Sequence, residues 1–563
     1  MRERLSSRET DGFNGAASPA QNPERYLQRG GHMNIGNLLT KTAWTFPDRP
    51  AIVHGPRKLT YAQFNARVNR LANALNHLGV RQGGKVALLQ YNYPEMLESM
   101  FACFKAGYGA VPINWRLHPK EVSFIIDHSE AEAVILSPEF NGPVIEVREH
   151  FPNALHLITL SGAEGELLDY EDLISKGSDR FSDVGVHPDD LAWIFYTSGT
   201  TGQPKGAMLT HRNLLAMTMN FFADICPGFG PDDAVLHAAP LSHGSGLYAL
   251  PNVAKGAANV ILPSKSFDPE LIFKSIQDHR VTNMFAAPTM IKLMIESPHA
   301  DRYDHTSMRA LNYGGAPMLV EDLKKAMAKL GPCLVQLYGQ AESPMTITYL
   351  PHRDHVLDGS PEQMKRLASA GFSRTDVEVK IFDGEERELP PGETGEIVTR
   401  SDFVMRGYWR NPEATKAALK GGWLHTGDVG YMDEKGYLFI MDRSKDMIIS
   451  GGENIYPREI EEVLIQHPAV REVAVIGVPD PKWGEAVKAV VSLVEGQSVT
   501  AEELIAFCKG HIAGYKKPQS VDFIDELPKN NYGKILKRDL RARYLGKSRT
   551  EGIRGSVQII EIL

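Results

Sequence analysis

Residues 196–206 read Tyr-Thr-Ser-Gly-Thr-Thr-Gly-Gln-Pro-Lys-Gly, and this stretch is the most informative in the chain. It follows an apolar run, Leu191–Tyr196, and a helix is predicted to begin near His211. Glycines let the backbone approach a polyanion, hydroxyl and N–H groups can surround phosphate oxygens, and Lys205 adds a cation. A Walker A loop is excluded because Gly206 stands where that motif needs Ser or Thr. The stretch therefore predicts a phosphate-binding loop, with a surface loop of no function as the alternative.

Outward from this loop the chain alternates between predicted strands and helices. Lys85–Asn92 and Tyr108–Asn114 are predicted strands, and the helix between them has Pro94 at its start and Gly107 after its end. The alternation recurs further on, with apolar strands at Ala234–Ala239 and Asn259–Pro263. This order predicts an α/β fold whose mostly parallel sheets are covered by helices.

The last quarter of the chain has a different pattern, typical of a small α+β domain. Short strands are predicted around the polar turn Asp442–Lys445, a helix is predicted from Pro457, and Thr500-Ala-Glu-Glu503 is a capping box for another helix. We therefore divide the chain into a polar, disordered arm (1–32, with Met33 as an alternative start), a large N-terminal domain (33–444), a mobile C-terminal domain (445–547) and a tail (548–563).

Composition excludes several classes of protein. The chain has 563 residues, 42% of them hydrophobic, which is enough for several packed cores. A formal net charge of -8 argues against a nucleic-acid partner. No apolar run is long enough for a membrane-spanning helix, and four scattered cysteines predict free thiols in a reducing compartment. We expect a cytoplasmic protein and leave open a peripheral association with membranes and a homodimer.

Further motifs follow the loop in a fixed order. They are Pro240-Leu-Ser-His-Gly-Ser-Gly246, Tyr313-Gly-Gly-Ala-Pro317, Leu337-Tyr-Gly-Gln-Ala-Glu342, Trp423-Leu-His-Thr-Gly-Asp428, Asp442-Arg-Ser-Lys445, Gly451-Gly-Glu-Asn-Ile-Tyr-Pro457 and Pro528-Lys-Asn-Asn-Tyr-Gly-Lys534. With the loop, this set resembles the AMP-forming acyl-CoA synthetases of the adenylate-forming superfamily. The resemblance extends from about Met33 to Leu545. It implies activation of a carboxylic acid by ATP and Mg²⁺ to an acyl-adenylate, and then transfer of the acyl group to CoA.

The resemblance also assigns residues to the nucleotide, the metal and CoA. Asp428 would hold the ribose hydroxyls with help from Arg443, Tyr338 would stack on the purine, and Glu342 with Thr197 would bind Mg²⁺. The full set of implied binding residues is Thr197, Ser198, Gly199, Thr200, Thr201, Gly202, Lys205, Gly314, Gly315, Ala316, Tyr338, Gly339, Asp428, Arg443, Gly451 and Gly452. Gly451 and Gly452 would border a channel for the pantetheine arm of CoA. The basic segment Gly514–Pro518 would bind CoA phosphates, or is a solvated turn.

Four residues are implied to be catalytic. Lys534 would stabilise the charge that develops when a carboxylate meets a triphosphate. His243 would stand at the wall of the acyl pocket near the carboxylate, Glu342 would act through the metal, and Lys445 would lie at the hinge about which the small domain rotates. One departure from the family is Ala341, which occupies a position where the family usually has Thr.

The segments expected to form the acid pocket predict the kind of acid. Pro240–Asn252, Asn312–Met318 and Leu337–Thr346 contain no Lys or Arg, so a second carboxylate would be buried without a partner. We expect a fatty or aromatic monocarboxylic acid. A carrier protein as acyl acceptor, a luciferase-like oxidation of the adenylate, and a non-catalytic nucleotide-binding relative remain as alternatives. His352 and His355 are expected on an exposed loop, with a metal site as the alternative.

Overall fold

The computed structural model describes residues 33–181, 183–197, 204–443, 446–450, 453–529 and 534–545. The predicted arm and tail therefore lie outside the described residues. So do the following predicted site residues: Ser198, Gly199, Thr200, Thr201, Gly202, Lys445, Gly451 and Gly452. For Arg443 the structure describes the backbone alone.

A seven-stranded sheet contains the strand before the phosphate loop. All neighbouring strands are parallel except the last pair, which the loop connects: Leu191–Thr197 is antiparallel to Lys205–Thr210. The strands, in spatial order, are Leu167–Asp169, His156–Thr159, Ala131–Leu136, Lys85–Leu89, Gly109–Pro112, Leu191–Thr197 and Lys205–Thr210.

A nine-stranded sheet forms the second half of the large domain. Its six central strands are parallel and its edges are antiparallel. In spatial order the strands are Phe372–Ser373, Ser343–Leu350, Leu334–Gln340, Ala310–Gly314, Asn283–Ala286, Ala234–His237, Ala258–Ile261, Pro50–His54 and Arg57–Thr60. These two sheets confirm the predicted α/β class with mostly parallel sheets.

Two five-stranded sheets follow. The first is antiparallel throughout, which the sequence analysis does not anticipate, and contains Glu378–Phe382, Gly395–Arg400, Leu419–Lys420, Trp423–Met432 and Leu438–Arg443. The second belongs to the predicted small domain and contains Ile448–Ser450, Glu453–Ile455, Val470–Asp480, Gly484–Leu493 and Ser520–Phe523. Only Ser520–Phe523 is parallel to its neighbour there.

Helices cover the sheets and begin where local signals predict. Thr210 caps the helix that starts at His211, Gly107 ends another in a left-handed conformation, and the Thr500 capping box is present. The α-helices are Asn37–Thr45, Tyr61–His77, Pro94–Ala106, Pro119–His128, Asn141–Glu146, Tyr170–Lys176, His211–Asn220, Gly244–Leu247, Ala249–Lys255, Pro269–His279, Pro288–Glu296, Val320–Leu330, Pro361–Arg366, Pro412–Ala418, Pro457–Leu464, Ala501–Lys509 and Lys537–Leu545.

The cores lie between helices and sheets, and the small domain has its own. Ile460 and Leu464 of the helix Pro457–Leu464 pack on Val475 and Val487 of the small sheet. All four cysteines are buried and unpaired. Within the described residues, none of the helices combines the length and apolar character needed to cross a membrane.

Candidate active site

A cavity of about 1160 Å³ opens where strands of both mostly parallel sheets end. The strand Leu191–Thr197 reaches it at Thr197, and the strand Ala310–Gly314 reaches it at Gly314. Ligands of α/β proteins bind at the carboxyl ends of parallel strands. The small domain supplies a further part of the wall through Lys529 and Lys534.

Of the predicted catalytic residues, the cavity brings together His243, Glu342 and Lys534. The predicted binding residues that line it are Thr197, Lys205, Gly314, Gly315, Ala316 and Gly339. Together these catalytic and binding residues come from five motifs that are far apart in sequence. Tyr338 and Asp428 do not line the cavity.

Lys205, Tyr408 and Glu342 form a row on the phosphate-loop side. The hydroxyl of Tyr408 donates a hydrogen bond to Glu342 Oε1 at 2.5 Å, and Lys205 Nζ lies 5.4 Å from the centre of the Tyr408 ring. Two backbone contacts hold Tyr408 in place. Tyr408 forms an antiparallel β-bridge with Ala207, and the backbone N–H of the next residue, Trp409, donates to the Gly206 carbonyl. Sequence reasoning missed Tyr408. The signal that could have drawn attention to it is the pair of adjacent aromatic residues, Tyr408 and Trp409, after Gly407.

The carboxylate of Glu342 and the hydroxyl of Thr197 fit a magnesium ion bound together with a nucleotide. Both residues line the cavity, and Mg²⁺ takes one or two carboxylates while keeping water and phosphate oxygens as its other ligands. Among the described residues there is no cluster of three or more His, Cys, Asp or Glu side chains that could hold a metal without a substrate. The donor set therefore suits a metal that enters with ATP.

Glycines form the wall predicted to face the purine. A Cβ on Gly314 would stand 2.3 Å from the Leu337 carbonyl oxygen, so a side chain there is excluded. Gly315 has a left-handed φ of +81°, and its Cβ position faces open space. The backbone is thus exposed at a surface on which a flat ring can lie.

Asp428 is hydrogen-bonded to Gln340, a residue of the cavity wall. Its Oδ2 accepts hydrogen bonds from the Tyr338 hydroxyl and from Gln340 Nε2, both at 2.7 Å, and the residue is 5% exposed. Gln340 and the neighbouring Gly427 line the cavity. Asp428 and Arg443 are partners in the register of adjacent strands, which places the two predicted ribose residues side by side.

His243 stands in the cavity wall. Its ring meets Phe195 edge to face at 5.2 Å, and its Nδ1 lies 3.1 Å from Ser242 Oγ. Burial lowers the pKa of His243 to about 3. The imidazole is therefore neutral at pH 7 and can hydrogen-bond a carboxylate without supplying a counter-charge.

The part of the cavity wall that contains the segments expected to bind the acid is apolar. Phe195, Phe285, Leu337 and Met345 line it, and Phe285 stacks on Tyr248. Sequence reasoning identified the segments of Leu337 and Met345, whereas it singled out neither phenylalanine. The lysines and arginines that line the cavity come from other segments: Arg116, Lys205, Lys265, Lys292, Arg471, Lys529 and Lys534.

Ion pairs hold the Lys534 segment in place, two of them within the small domain and one to Asp442 of the large domain. Lys529 pairs with Glu472 at 2.6 Å. Lys537 lies 2.9 Å from Glu461 and 3.2 Å from Asp442, the residue that precedes Arg443. In the predicted CoA segment, Lys516 pairs with Glu459, so its charge is already neutralised in this conformation.

The sequence predicts that His352 and His355 lie on an exposed loop, and this prediction is wrong for His355. His352 is exposed, but His355 is buried. Its Nε2 lies 3.0 Å from the Tyr313 hydroxyl and its Nδ1 lies 2.9 Å from the Pro351 carbonyl. The short turn at His352–Asp354 folds the ring back onto the nine-stranded sheet, which a local sequence pattern does not reveal.

Comparison with known proteins gives a consistent result. Residues 39–409 match the AMP-binding enzyme family, and residues 459–534 match the AMP-binding enzyme C-terminal domain. The chain is 40% identical to a feruloyl-CoA synthase of Amycolatopsis over 91% of this chain and 99% of that protein. It is 37% identical to ScoC, a fatty acid–acyl-carrier-protein ligase of Streptomyces coeruleorubidus, over 92% and 98%. The crystal structure of ATP-bound MatB from Rhodopseudomonas palustris superposes with a TM-score of 0.82 at 32% identity, over 91% and 99%.

Proposed function

Because this chain belongs to the family of AMP-binding enzymes, we propose that its cavity binds ATP and an apolar monocarboxylic acid side by side. The protein is an AMP-forming acid–CoA ligase, which converts a carboxylic acid, ATP and CoA to acyl-CoA, AMP and pyrophosphate. The observation that carries the residue assignments is the single cavity shared by Lys205, Glu342, His243 and Lys534.

The first half-reaction joins the acid to the nucleotide. A carboxylate oxygen of the acid forms a bond to the α-phosphorus of ATP while the bond to the bridging oxygen breaks and pyrophosphate leaves. Lys534 contacts the α-phosphate and the incoming carboxylate and stabilises the charge that shifts between them. Lys205 and the loop before it hold the departing phosphates. His243, being neutral, orients the carboxylate through a hydrogen bond.

Mg²⁺ would be held by Glu342 with Thr197, and when bound it neutralises phosphate charge. Tyr408 fixes the Glu342 carboxylate on one side through its hydroxyl. Asp428, whose Oδ2 accepts hydrogen bonds from Tyr338 and Gln340, would bind the ribose hydroxyls. The Tyr338 hydroxyl holds this carboxylate, and because Tyr338 does not line the cavity in this conformation, its predicted stacking on the purine stays a prediction.

The second half-reaction transfers the acyl group. The sulfur of CoA bonds to the acyl carbonyl carbon, AMP leaves with its α-phosphate, and the thiol proton passes to solvent. The family resemblance assigns the hinge to Lys445 and the border of the pantetheine channel to Gly451 and Gly452, all of which lie outside the described residues. Rotation of the small domain about residue 445 removes Lys534 from the cavity between the two steps.

The apolar end of the cavity favours a fatty or aromatic acid. Phe195 and Phe285 provide aromatic faces, which suit a ring such as that of the ferulate used by the Amycolatopsis relative. Four buried, unpaired cysteines suit a cytoplasmic enzyme.

The test is exchange of labelled pyrophosphate into ATP in the presence of ferulate, benzoate, octanoate, palmitate or succinate, followed by addition of CoA. We expect acid-dependent exchange that is strongest with a monocarboxylate, and CoA-dependent release of equal amounts of AMP and acyl-CoA. Formation of ADP and phosphate would contradict the proposal. Transfer to a holo-acyl carrier protein but not to CoA would identify the carrier protein as the acceptor.

A further inference from the structure

A second, smaller cavity lies behind the apolar part of the main cavity wall. Its volume is about 20 Å³, which is room for one water molecule. Leu337 and Met345 line both cavities and so form the partition between them. Apolar side chains surround most of the small cavity, and Arg374 is the charged residue on its wall.

Arg374 forms a buried ion pair and also donates a hydrogen bond to Met345, one of the two partition residues. Its side chain is 2% exposed and that of its partner, Asp224, is 6% exposed. Arg374 Nε donates to Asp224 Oδ2 at 3.0 Å, and Nη1 donates to the Met345 carbonyl at 3.0 Å. Asp224 also accepts hydrogen bonds from the N–H and hydroxyl of Thr375. A buried pair with this many hydrogen bonds fixes geometry more than it adds stability.

Met345 needs such a fixed contact because of its backbone. Its φ is +60°, in the left-handed region that residues other than glycine seldom adopt. Such a conformation persists only where the surroundings hold it. The backbone of Met345 packs against Gly339, where a Cβ would stand 2.4 Å from the Met345 nitrogen. The sulfur of Met345 lies near Gly244, 3.6 Å from the position that a Cβ would take there.

We propose that Met345 and Leu337 form the end wall of the acid site, and that Arg374, anchored by Asp224, is a positioning residue that holds Met345 there. The inference rests on the proposed function, because it concerns the acid that this cavity would activate. The wall limits the length of the acid, and the space behind it becomes part of the site when the Met345 side chain is removed.

The first test measures acid-dependent pyrophosphate exchange with straight-chain acids of increasing length and with cinnamate-type acids. Met345→Ala joins the two cavities, so kcat/KM for an acid two methylenes longer than the wild-type optimum should rise about 15-fold relative to that optimum, at about fourfold per methylene. Met345→Leu keeps most of the side-chain volume and should keep the wild-type length profile.

The second test removes the anchor without leaving a buried charge unpaired. Arg374→Met combined with Asp224→Asn should raise relative kcat/KM for longer acids, because Met345 loses the bond to its carbonyl. The same pair of changes in the Met345→Ala protein should cause no further shift in length preference, since residues that act through one another are not additive. A merely structural role would lower the rate with every acid by the same factor.

An unchanged length profile in Met345→Ala, or equal losses with all acids in the Arg374/Asp224 variant, would overturn the inference while leaving the proposed function intact. If the Arg374/Asp224 variant fails to fold, as judged by its thermal unfolding, the comparison of Met345→Ala with Met345→Leu decides the matter. Absence of exchange by the wild-type protein with every acid would instead refute the proposed function.

Discussion

Replacing Tyr408 with Phe tests whether the row of Lys205, Tyr408 and Glu342 supports adenylation. The change removes the hydroxyl that donates to Glu342 at 2.5 Å and keeps the ring below Lys205. A hydrogen bond to a charged group contributes about 1.5–3 kcal/mol. Lost entirely from the transition state, that energy corresponds to a fall in kcat/KM of about 10- to 150-fold.

The assay is pyrophosphate exchange at several Mg²⁺ concentrations. We expect Tyr408→Phe to lower the exchange rate and to need more Mg²⁺ for half-maximal rate, because the carboxylate that would bind the metal is no longer fixed. Tyr303→Phe is the matched control, since its hydroxyl donates to Glu270 at 3.0 Å on the exposed surface. Exchange by Tyr408→Phe at the wild-type rate and with the wild-type Mg²⁺ dependence would refute the reasoning.

Three further predictions address other parts of the molecule. Ala341→Thr adds a hydroxyl to the cavity wall and should speed adenylation or leave it unchanged; a strong loss would show that the site is built around the small side chain. Burial lowers the pKa of His355 to about 4 in the folded protein. As the pH falls, this histidine therefore takes up its proton in the unfolded chain before it does so in the folded one. From this residue alone, the free energy of unfolding should drop by about 2 kcal/mol between pH 7 and pH 5. In denaturant unfolding, His355→Gln should remove this pH dependence of the unfolding free energy, whereas His352→Gln, at an exposed position, should not. The same pH dependence in both variants would count against His355 as its source. Lys537→Met removes the cation that pairs with both Glu461 and Asp442 and should lower the unfolding free energy, by at most about 3–5 kcal/mol, the cost of breaking a fully buried pair; an unchanged melting temperature is the contrary result.

Local patterns sufficed for the elements that surround the site. The apolar run before residue 197 is a strand in the interior of the seven-stranded sheet, Thr210 and Thr500 cap helices, and Gly107 ends one. Each of these depends on residues within a few positions of one another. The α/β class followed from their alternation, and the family resemblance supplied the roles of Lys205, Glu342 and Lys534, which the fold brings to one cavity.

Features that depend on distant parts of the chain could not be predicted in this way. Tyr408 reaches Glu342 only because its segment runs beside the strand Lys205–Thr210. Arg374 pairs with Asp224, which lies 150 residues away in the sequence. In the sequence, a single Arg or Asp with polar neighbours cannot be distinguished from a solvated surface charge. The burial of His355 likewise depends on Tyr313 of another strand.

The central claim is that this cavity activates an acid through Lys534, and the most direct measurement compares the two half-reactions in Lys534→Ala. Adenylation is followed by pyrophosphate exchange, and thioester formation by supplying ready-made acyl-adenylate with CoA. We predict a loss of at least about 100-fold in adenylation, the scale of removing one preorganised donor. Thioester formation should proceed near the wild-type rate, and Lys445→Pro should show the reverse because proline resists rotation at a hinge. Equal losses of both half-reactions in both variants, with folding intact, would contradict the account.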